Sequence, residues 1–117
     1  MTDAAKVLAN AEPRPGQALA ATSYRFDDIE VRPQARQVLV KGAPVNLGSR
    51  AFDVLLALIA HRERVVSKNE LLDLVWPDLV VEENNLQVQV SSLRKLLGAR
   101  TIVTIPGRGY RFAATLE

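Results

Sequence analysis

The chain has 117 residues, of which 48% are apolar, which is enough for one domain with a single modest core. It contains no cysteine, which excludes disulfide bonds and thiolate metal sites and fits a reducing compartment. The formal net charge is only +2, so composition alone is weak support for a polyanionic partner. No run approaches the ~18 apolar residues of a membrane span, and the N-terminus lacks the apolar core of a signal peptide. We therefore expect a soluble cytoplasmic module.

Residues 1–22 are predicted to be a mobile tail, with at most a helical turn near residues 4–9. They are rich in alanine, contain prolines and lack useful periodicity. From Tyr24 the pattern changes to short β-rich runs separated by turn residues. Four strands are predicted, at residues 24–26, 29–31, 38–40 and 44–47. They would form an antiparallel meander, and a sheet this small must pack on helices.

Two helices are predicted after the strands. The first runs over about 48–62, and its inward stripe comprises Phe52, Leu55, Leu56 and Ile59. The second follows the sequence SKNE, a capping box in which Ser67 and Glu70 each satisfy an unpaired backbone donor. Pro77 stops this helix.

A third helix is predicted over residues 83–97, because apolar residues recur there at i, i+4, i+7 and i+11. These residues are Leu86, Val90, Leu93 and Leu97. Glu82 and Glu83 lie in the first turn, where the helix dipole favours acids, and Gly98 provides the C-terminal stop. The opposite side carries no carboxylate after Glu83, and its residues are Asn84, Asn85, Val88, Ser91, Ser92 and Lys95. Two helices joined by a tight loop form a helix-turn-helix.

Two further strands are predicted around residues 101–105 and 110–112, joined by the loop PGRG. The two glycines of this loop would supply the backbone angles of a hairpin tip, from which Arg108 would project. A hairpin directly after a helix-turn-helix is a wing. The predicted fold class is α+β, a winged helix-turn-helix in residues 23–114 with an N-terminal four-stranded antiparallel sheet, three helices and a C-terminal hairpin. Residues 115–117 form the C-terminal end, and they are either a cloning remnant or a native terminus.

The outer face of the third helix has the chemistry of a major-groove reader. Its amides and hydroxyls can donate to and accept from base edges, and Val88 could meet a thymine methyl group. After Glu83 the chain has no acid before Glu117, and its basic residues there are Arg94, Lys95, Arg100, Arg108 and Arg111. The alternative is an ordinary solvated polar face.

Three groups of residues together resemble the OmpR/PhoB-type winged-helix transcription regulators over about residues 24–112. In chain order they are VVSKNELL with VW, NNL with LRKLL, and VTIPGRGYRF. The resemblance implies sequence-specific binding of double-stranded DNA by a bacterial transcription regulator. It places the helix at about 83–97 in the major groove and the wing at about 102–112 near the minor groove.

The resemblance also implies which residues meet DNA. Positions matching the family's base contacts are Asn85, Val88 and Ser92, to which the outer face adds Lys95. Positions matching its phosphate contacts are Trp76, Asn84, Ser91, Arg94, Thr104 and Tyr110. Arg108 is assigned to the minor groove. The loop that can touch RNA polymerase in the family corresponds to Pro77, Asp78, Leu79 and Val80, although these side chains could equally fill the core.

Several positions depart from the family pattern. Ser92 stands where many members carry a base-reading arginine, and Pro106 stands where many carry the wing arginine, so the role of Arg108 is a hypothesis. Base specificity therefore cannot be carried over. By analogy with the family, we expect a tandem dimer on repeated half-sites. Because the domain begins soon after Met1, we expect a further sensor or effector domain in the parent chain, with a free-standing regulator as the alternative.

An enzyme is the main rival class, and the sequence argues against it. The chain has a single histidine, His61, and no His/Asp/Glu cluster at metal-ligand spacing. The sequence GRG is not followed by the helix that a nucleotide-binding fingerprint requires. We expect neither a cofactor nor a metal. The second rival is a winged-helix scaffold for protein contacts, which predicts no salt-dependent DNA binding.

Overall fold

The computed structural model describes residues 23–117, and the predicted tail with its turn near residues 4–9 lies outside the described residues. The described part holds the predicted arrangement of a four-stranded sheet, three helices and a hairpin. Its elements are β1 Tyr24–Phe26, β2 Ile29–Arg32, β3 Gln37–Val40, β4 Ala43–Val45, α1 Ser49–Ala60, α2 Lys68–Val75, α3 Glu83–Leu97, β5 Ile102–Ile105 and β6 Gly109–Phe112. The α+β winged-helix prediction is confirmed.

The N-terminal sheet is an antiparallel meander in the order β1-β2-β3-β4. Its turns are tight because Asp27, Arg36 and Lys41 adopt left-handed conformations, with φ of 51°, 50° and 53°. The strand residues that face the helices are buried, and they are Phe26, Ile29, Val31 and Val38. The fourth strand ends before Asn46 and is shorter than predicted. Pro44 is tolerated in it because β4 is an edge strand.

Helix α1 is the centre of the core and packs against α2, α3 and β6. Three members of its predicted stripe are buried, namely Phe52, Leu55 and Ile59. Leu56 is only half-buried, but it packs against the same core. Burial extends further round the helix than one stripe, to Ala51, Val54 and Leu58. The helix ends at Ala60 rather than near Arg62, because His61 leaves the helical region at φ −113° and ψ 32°.

The N-terminus of α2 is capped as predicted, but only by one of the two predicted bonds. Ser67 Oγ accepts from the backbone N–H of Glu70 at 3.1 Å. The prediction that Glu70 returns a bond to the backbone is wrong. Its carboxylate accepts instead from Arg64, at 2.6 Å from Nη2 and 2.9 Å from Nη1. A guanidinium is a stronger donor to a carboxylate than a neutral amide, and this pairing lowers the pKa of Glu70.

Strands β5 and β6 form a separate hairpin that pairs from Ile102–Phe112 to Ile105–Gly109. The tip is therefore residues 106–108, and Gly109 belongs to β6. The prediction that both glycines adopt backbone angles unfavourable to other residues is confirmed, with φ 73° at Gly107 and 149° at Gly109. Only Gly107 lies in the tip, since Gly109 is the first residue of β6. Gly109 is also needed for space, since a Cβ there would collide with the carbonyl oxygen of Val66.

Two contacts join the hairpin and the chain's last residues to the N-terminal sheet. The rings of Phe112 and Phe26 meet edge to face, with centroids 5.2 Å apart. Leu116 packs against the core, and the backbone N–H of Glu117 donates to the carbonyl of Arg25 at 2.8 Å. Residues beyond the wing thus return to β1.

Candidate nucleic-acid interface

Helix α3 has one buried face and one exposed face, as its sequence pattern predicts. Its buried residues are Leu86, Val90, Leu93 and Leu97. At about 100° per residue, the exposed residues opposite them are Asn84, Asn85, Val88, Ser91 and Lys95. Ser92 lies on the same side but is half-buried. Val88 is 50% exposed near the middle of this face, which we call the outer face of α3. An apolar side chain is thus surrounded there by short polar ones.

The first turn of α3 is tied to the first turn of α2 by an ion pair. Lys68 Nζ donates to Glu83 Oε2 at 2.7 Å, which lowers the pKa of Glu83 and raises that of Lys68. The side-chain amide of Asn85 donates to the carbonyl of Glu82 at 3.3 Å, so one of its two N–H donors is used within the protein. No local sequence pattern indicates this role of Lys68, because the pair joins residues of different helices.

Arg94, a predicted phosphate contact, lies on the flank of α3 that faces the wing. Its Nε donates to the carbonyl of Ile102 at 3.0 Å, and its Nη2 donates to Thr104 Oγ1 at 2.8 Å. Two of the five guanidinium donors are therefore used within the protein. Below Arg94, the hydroxyl of Thr101 donates to the carbonyl of Leu97 at 3.0 Å and closes the C-terminus of the helix.

The predicted wing residues differ in how far they reach the surface. Arg108 and Thr104 are exposed, whereas Tyr110 is 5% exposed and belongs mainly to the core. The wing tip borders an open groove of about 320 Å³, lined by Ser67, Lys68, Asn69, Glu83, Gly107 and Arg108. The starts of α2 and α3 and the tip of the wing therefore lie along one side of the domain.

The linker between α2 and α3, residues 76–82, exposes the two apolar side chains in its middle, while Val81 packs against the core. Leu79 is 60% exposed and Val80 is fully exposed, and Asp78 has a left-handed conformation with φ 63°. Trp76, a predicted phosphate contact, is 8% exposed and packs in the core as the end of α2. The guanidinium of Arg50 lies over its ring at 5.9 Å and donates to the carbonyl of Val75 at 2.6 Å. Arg50 thus closes the C-terminus of α2, which the sequence analysis missed.

Within residues 23–117 the side chains offer no assembled centre for metal chemistry. No group of three or more His, Cys, Asp or Glu residues is placed there to hold a metal ion. In the same part of the chain, none of the helices is long and apolar enough to cross a membrane. The surface formed by the outer face of α3, the linker and the wing is the candidate site, because its exposed side chains are mainly amides, hydroxyls, cations and a few apolar groups.

The sequence of the chain is similar to those of known bacterial regulators. The model of the family described as "Transcriptional regulatory protein, C terminal" matches residues 42–112. The phosphate regulon transcriptional regulatory protein PhoB of Pseudomonas aeruginosa is 34% identical over 85 residues, which cover 69% of this chain and 37% of that protein. The chain spans less than half the length of the curated relatives it matches.

The fold is similar to those of solved DNA-binding domains. The DNA-binding domain of Escherichia coli CadC aligns with a TM-score of 0.72 and 29% identity, covering 81% of this chain and 94% of that one. The Klebsiella pneumoniae RstA DNA-binding domain, solved in complex with the RstA box, aligns with a TM-score of 0.67 and 27% identity, covering 79% and 97%. The family match covers the three helices and the wing. The chain therefore belongs to the family of transcriptional regulatory proteins that share this C-terminal winged-helix domain, the OmpR/PhoB type.

Proposed function

We propose that this chain binds double-stranded DNA sequence-specifically as part of a transcription regulator, with α3 in the major groove and the wing near the minor groove. The outer face of α3 carries this proposal, because it is exposed, bears amides, hydroxyls and an ammonium, and has no carboxylate. Such groups can read base edges without repelling phosphates. The similarity to the RstA domain, which was solved in complex with the RstA box, supports DNA binding by this fold.

The residues of this surface divide into two proposed roles. Base contacts are assigned to Asn85, Val88, Ser92 and Lys95. Phosphate contacts are assigned to residues around them and on the wing, namely Trp76, Asn84, Ser91, Arg94, Thr104 and Tyr110. Because Trp76 and Tyr110 are almost fully buried, only the polar tip of each side chain can take part. Arg108 would approach the minor groove from the tip of the wing.

The linker supports a second proposal, a protein contact made beside the DNA. Leu79 and Val80 are exposed next to α3, and exposed apolar side chains favour burial by a partner. RNA polymerase is the proposed partner for Pro77, Asp78, Leu79 and Val80. A single helix and wing cover a short half-site, so we also propose that two copies bind repeated half-sites in tandem.

Selection of bound sequences from random duplex DNA, at a stated salt concentration, tests the main proposal. One motif should be enriched, and affinity for it should fall steeply as salt rises, because bound phosphates release counterions. A scrambled duplex of the same length and composition is the control, and it should bind more weakly at every salt concentration. Failure to enrich any motif, or affinity that does not change with salt, would favour the protein-contact scaffold instead.

A further inference from the structure

Arg94 joins α3 to the wing through two bonds made by one rigid group. The guanidinium is planar, so bonds from Nε to Ile102 and from Nη2 to Thr104 fix its position and its orientation together. Both acceptors belong to β5, one on its backbone and one on a side chain. The bond to Ile102 is partly shielded from water, whereas the bond to Thr104 is exposed.

The bond from Arg94 Nη2 ends on Thr104, which belongs to one cross-strand pair (rung) of the hairpin. Thr104 is the cross-strand partner of Tyr110. Tyr110 is itself bound from the other side, because its backbone N–H donates to the carbonyl of Val66 at 2.9 Å and its carbonyl accepts from Val66 N–H at 2.8 Å. The rung Thr104–Tyr110 is therefore held on one side by the helix and on the other by the segment before α2. Only residues 105–109 lie beyond it.

We infer that Arg94 is a positioning residue that fixes the wing relative to the recognition helix, so that Arg108 reaches DNA while α3 occupies the groove. This inference rests on the proposed function. Without the two Arg94 bonds, the pair Thr104–Tyr110 would keep its contacts with Val66 and the core, but β5 would lose these bonds to α3. The exposed tip beyond the pair could then vary in its position relative to α3. Ordering residues 106–108 on the DNA would then cost conformational entropy, which would weaken binding.

The bond from Arg94 also orients the hydroxyl group of Thr104, which is a second donor. Because Thr104 Oγ1 accepts from Arg94, the hydrogen of this hydroxyl is free to point elsewhere. Thr104 is exposed, so that hydrogen can be offered to a phosphate. Arg94 thereby acts on DNA through Thr104 and the wing, rather than chiefly through its own charge.

Arg94→Lys separates positioning from charge. Lysine keeps the positive charge but is a point donor on a flexible stem, so it cannot hold both acceptors as the planar fork does. We would measure DNA affinity and its salt dependence for the whole chain and for Arg94→Lys, each with and without Arg108→Ala, on the selected duplex. Arg100→Lys, at an exposed arginine in the turn after α3, is the matched control.

In the unmodified chain, Arg108→Ala should weaken binding and flatten the salt slope by about one unit. In the Arg94→Lys background the same change should have less than half this effect, because the tip is no longer held in place. The control Arg100→Lys should leave the effect of Arg108→Ala unchanged. Thr104→Val removes the Nη2 acceptor together with the hydroxyl hydrogen offered to phosphate, and it should reduce the effect of Arg108→Ala as Arg94→Lys does. Thermal melting would establish that each variant folds.

Additive effects of Arg94→Lys and Arg108→Ala would overturn the inference, as would an Arg94→Lys chain that binds like the unmodified one. If Arg94→Lys does not fold, additivity of Thr104→Val with Arg108→Ala would overturn it equally. These results differ from failure of the proposed function, in which the unmodified chain itself would select no DNA sequence.

Discussion

Val66 and Tyr110 exchange both of their main-chain hydrogen bonds, at 2.8 Å and 2.9 Å, across residues that lie far apart in the chain. This two-way bridge fixes the base of the wing to the segment that enters α2. It brings the backbone of Gly109 so close to Val66 that no side chain fits between them. The geometry of the wing therefore depends on the absence of a single methyl group.

Gly109→Ala should destabilise the fold by at least about 2 kcal/mol, because the added Cβ collides with backbone and the bridge must open. Gly107→Ala is the matched control. It also has a positive φ, of 73°, but nothing lies within 4 Å of its Cβ, so it should cost only about 1 kcal/mol. Chemical unfolding of both variants would measure the difference. Equal costs would show that backbone conformation, rather than space, explains Gly109.

Val88→Glu should abolish specific DNA binding while leaving the fold intact, because it places a carboxylate on the outer face of α3 opposite the duplex. Val80→Glu introduces the same charge at another exposed valine, in the linker, and should retain DNA binding. Fluorescence anisotropy with the selected duplex would compare them. If Val88→Glu binds as tightly as Val80→Glu, the outer face of α3 is not the surface that meets DNA.

Leu93→Ala should lower the free energy of unfolding by roughly 2–5 kcal/mol, since Leu93 is fully buried in the seam between α3 and the core. Leu96 lies on the same helix but is 37% exposed, so Leu96→Ala should cost less than about 1 kcal/mol. Denaturant titration of the two variants would test this contrast. Similar costs would contradict the division of α3 into a buried and an exposed face.

Stability should decline in acid partly through Glu70 and Glu83. Their folded-state pKa values lie below the ordinary 4.5, because Arg64 and Lys68 donate hydrogen bonds to them. A lowered pKa gives stability that is present above pH 4.5 and is lost as pH falls through the folded-state value. The variant Glu70→Gln with Glu83→Gln should therefore show a shallower decline of melting temperature below pH 4.5. Glu63→Gln, at an exposed glutamate, is the control, and an equal decline in the double variant would contradict this explanation.

Much of this fold could be predicted because local patterns and tertiary packing agree. The leucines and valine of α3 repeat at helical spacing, and they are the residues that the core buries. The cap of α2 by Ser67 could be predicted because the bond joins residues only three positions apart. The unpredicted features are contacts between distant segments. Glu70 pairs with Arg64 rather than with the backbone. Gly109 is required because the backbone of Val66 leaves no room for a side chain. Periodicity and turn rules cannot predict either contact.

In the candidate site, too, local features could be predicted and contacts between distant segments could not. The exposed residues of α3 followed from the position of the buried stripe, since the two faces of a helix are fixed together. The assignment of Arg94 came from family resemblance and did not include its bonds to β5. Arg50 and Lys68 were missed because each acts across two helices, on Val75 and on Glu83. Their roles depend on helix packing, which a single sequence does not specify.

The wing is secured at its base by main-chain groups, since Val66 and Tyr110 pair through backbone atoms. Backbone pairing is largely indifferent to which side chains the tip carries. Residues 106–108 can therefore be exchanged with little penalty to folding, provided that position 107 tolerates a positive φ. Related regulators could therefore differ in sequence at the tip, and the tip is a practical site for grafting residues that change the affinity of the domain for DNA.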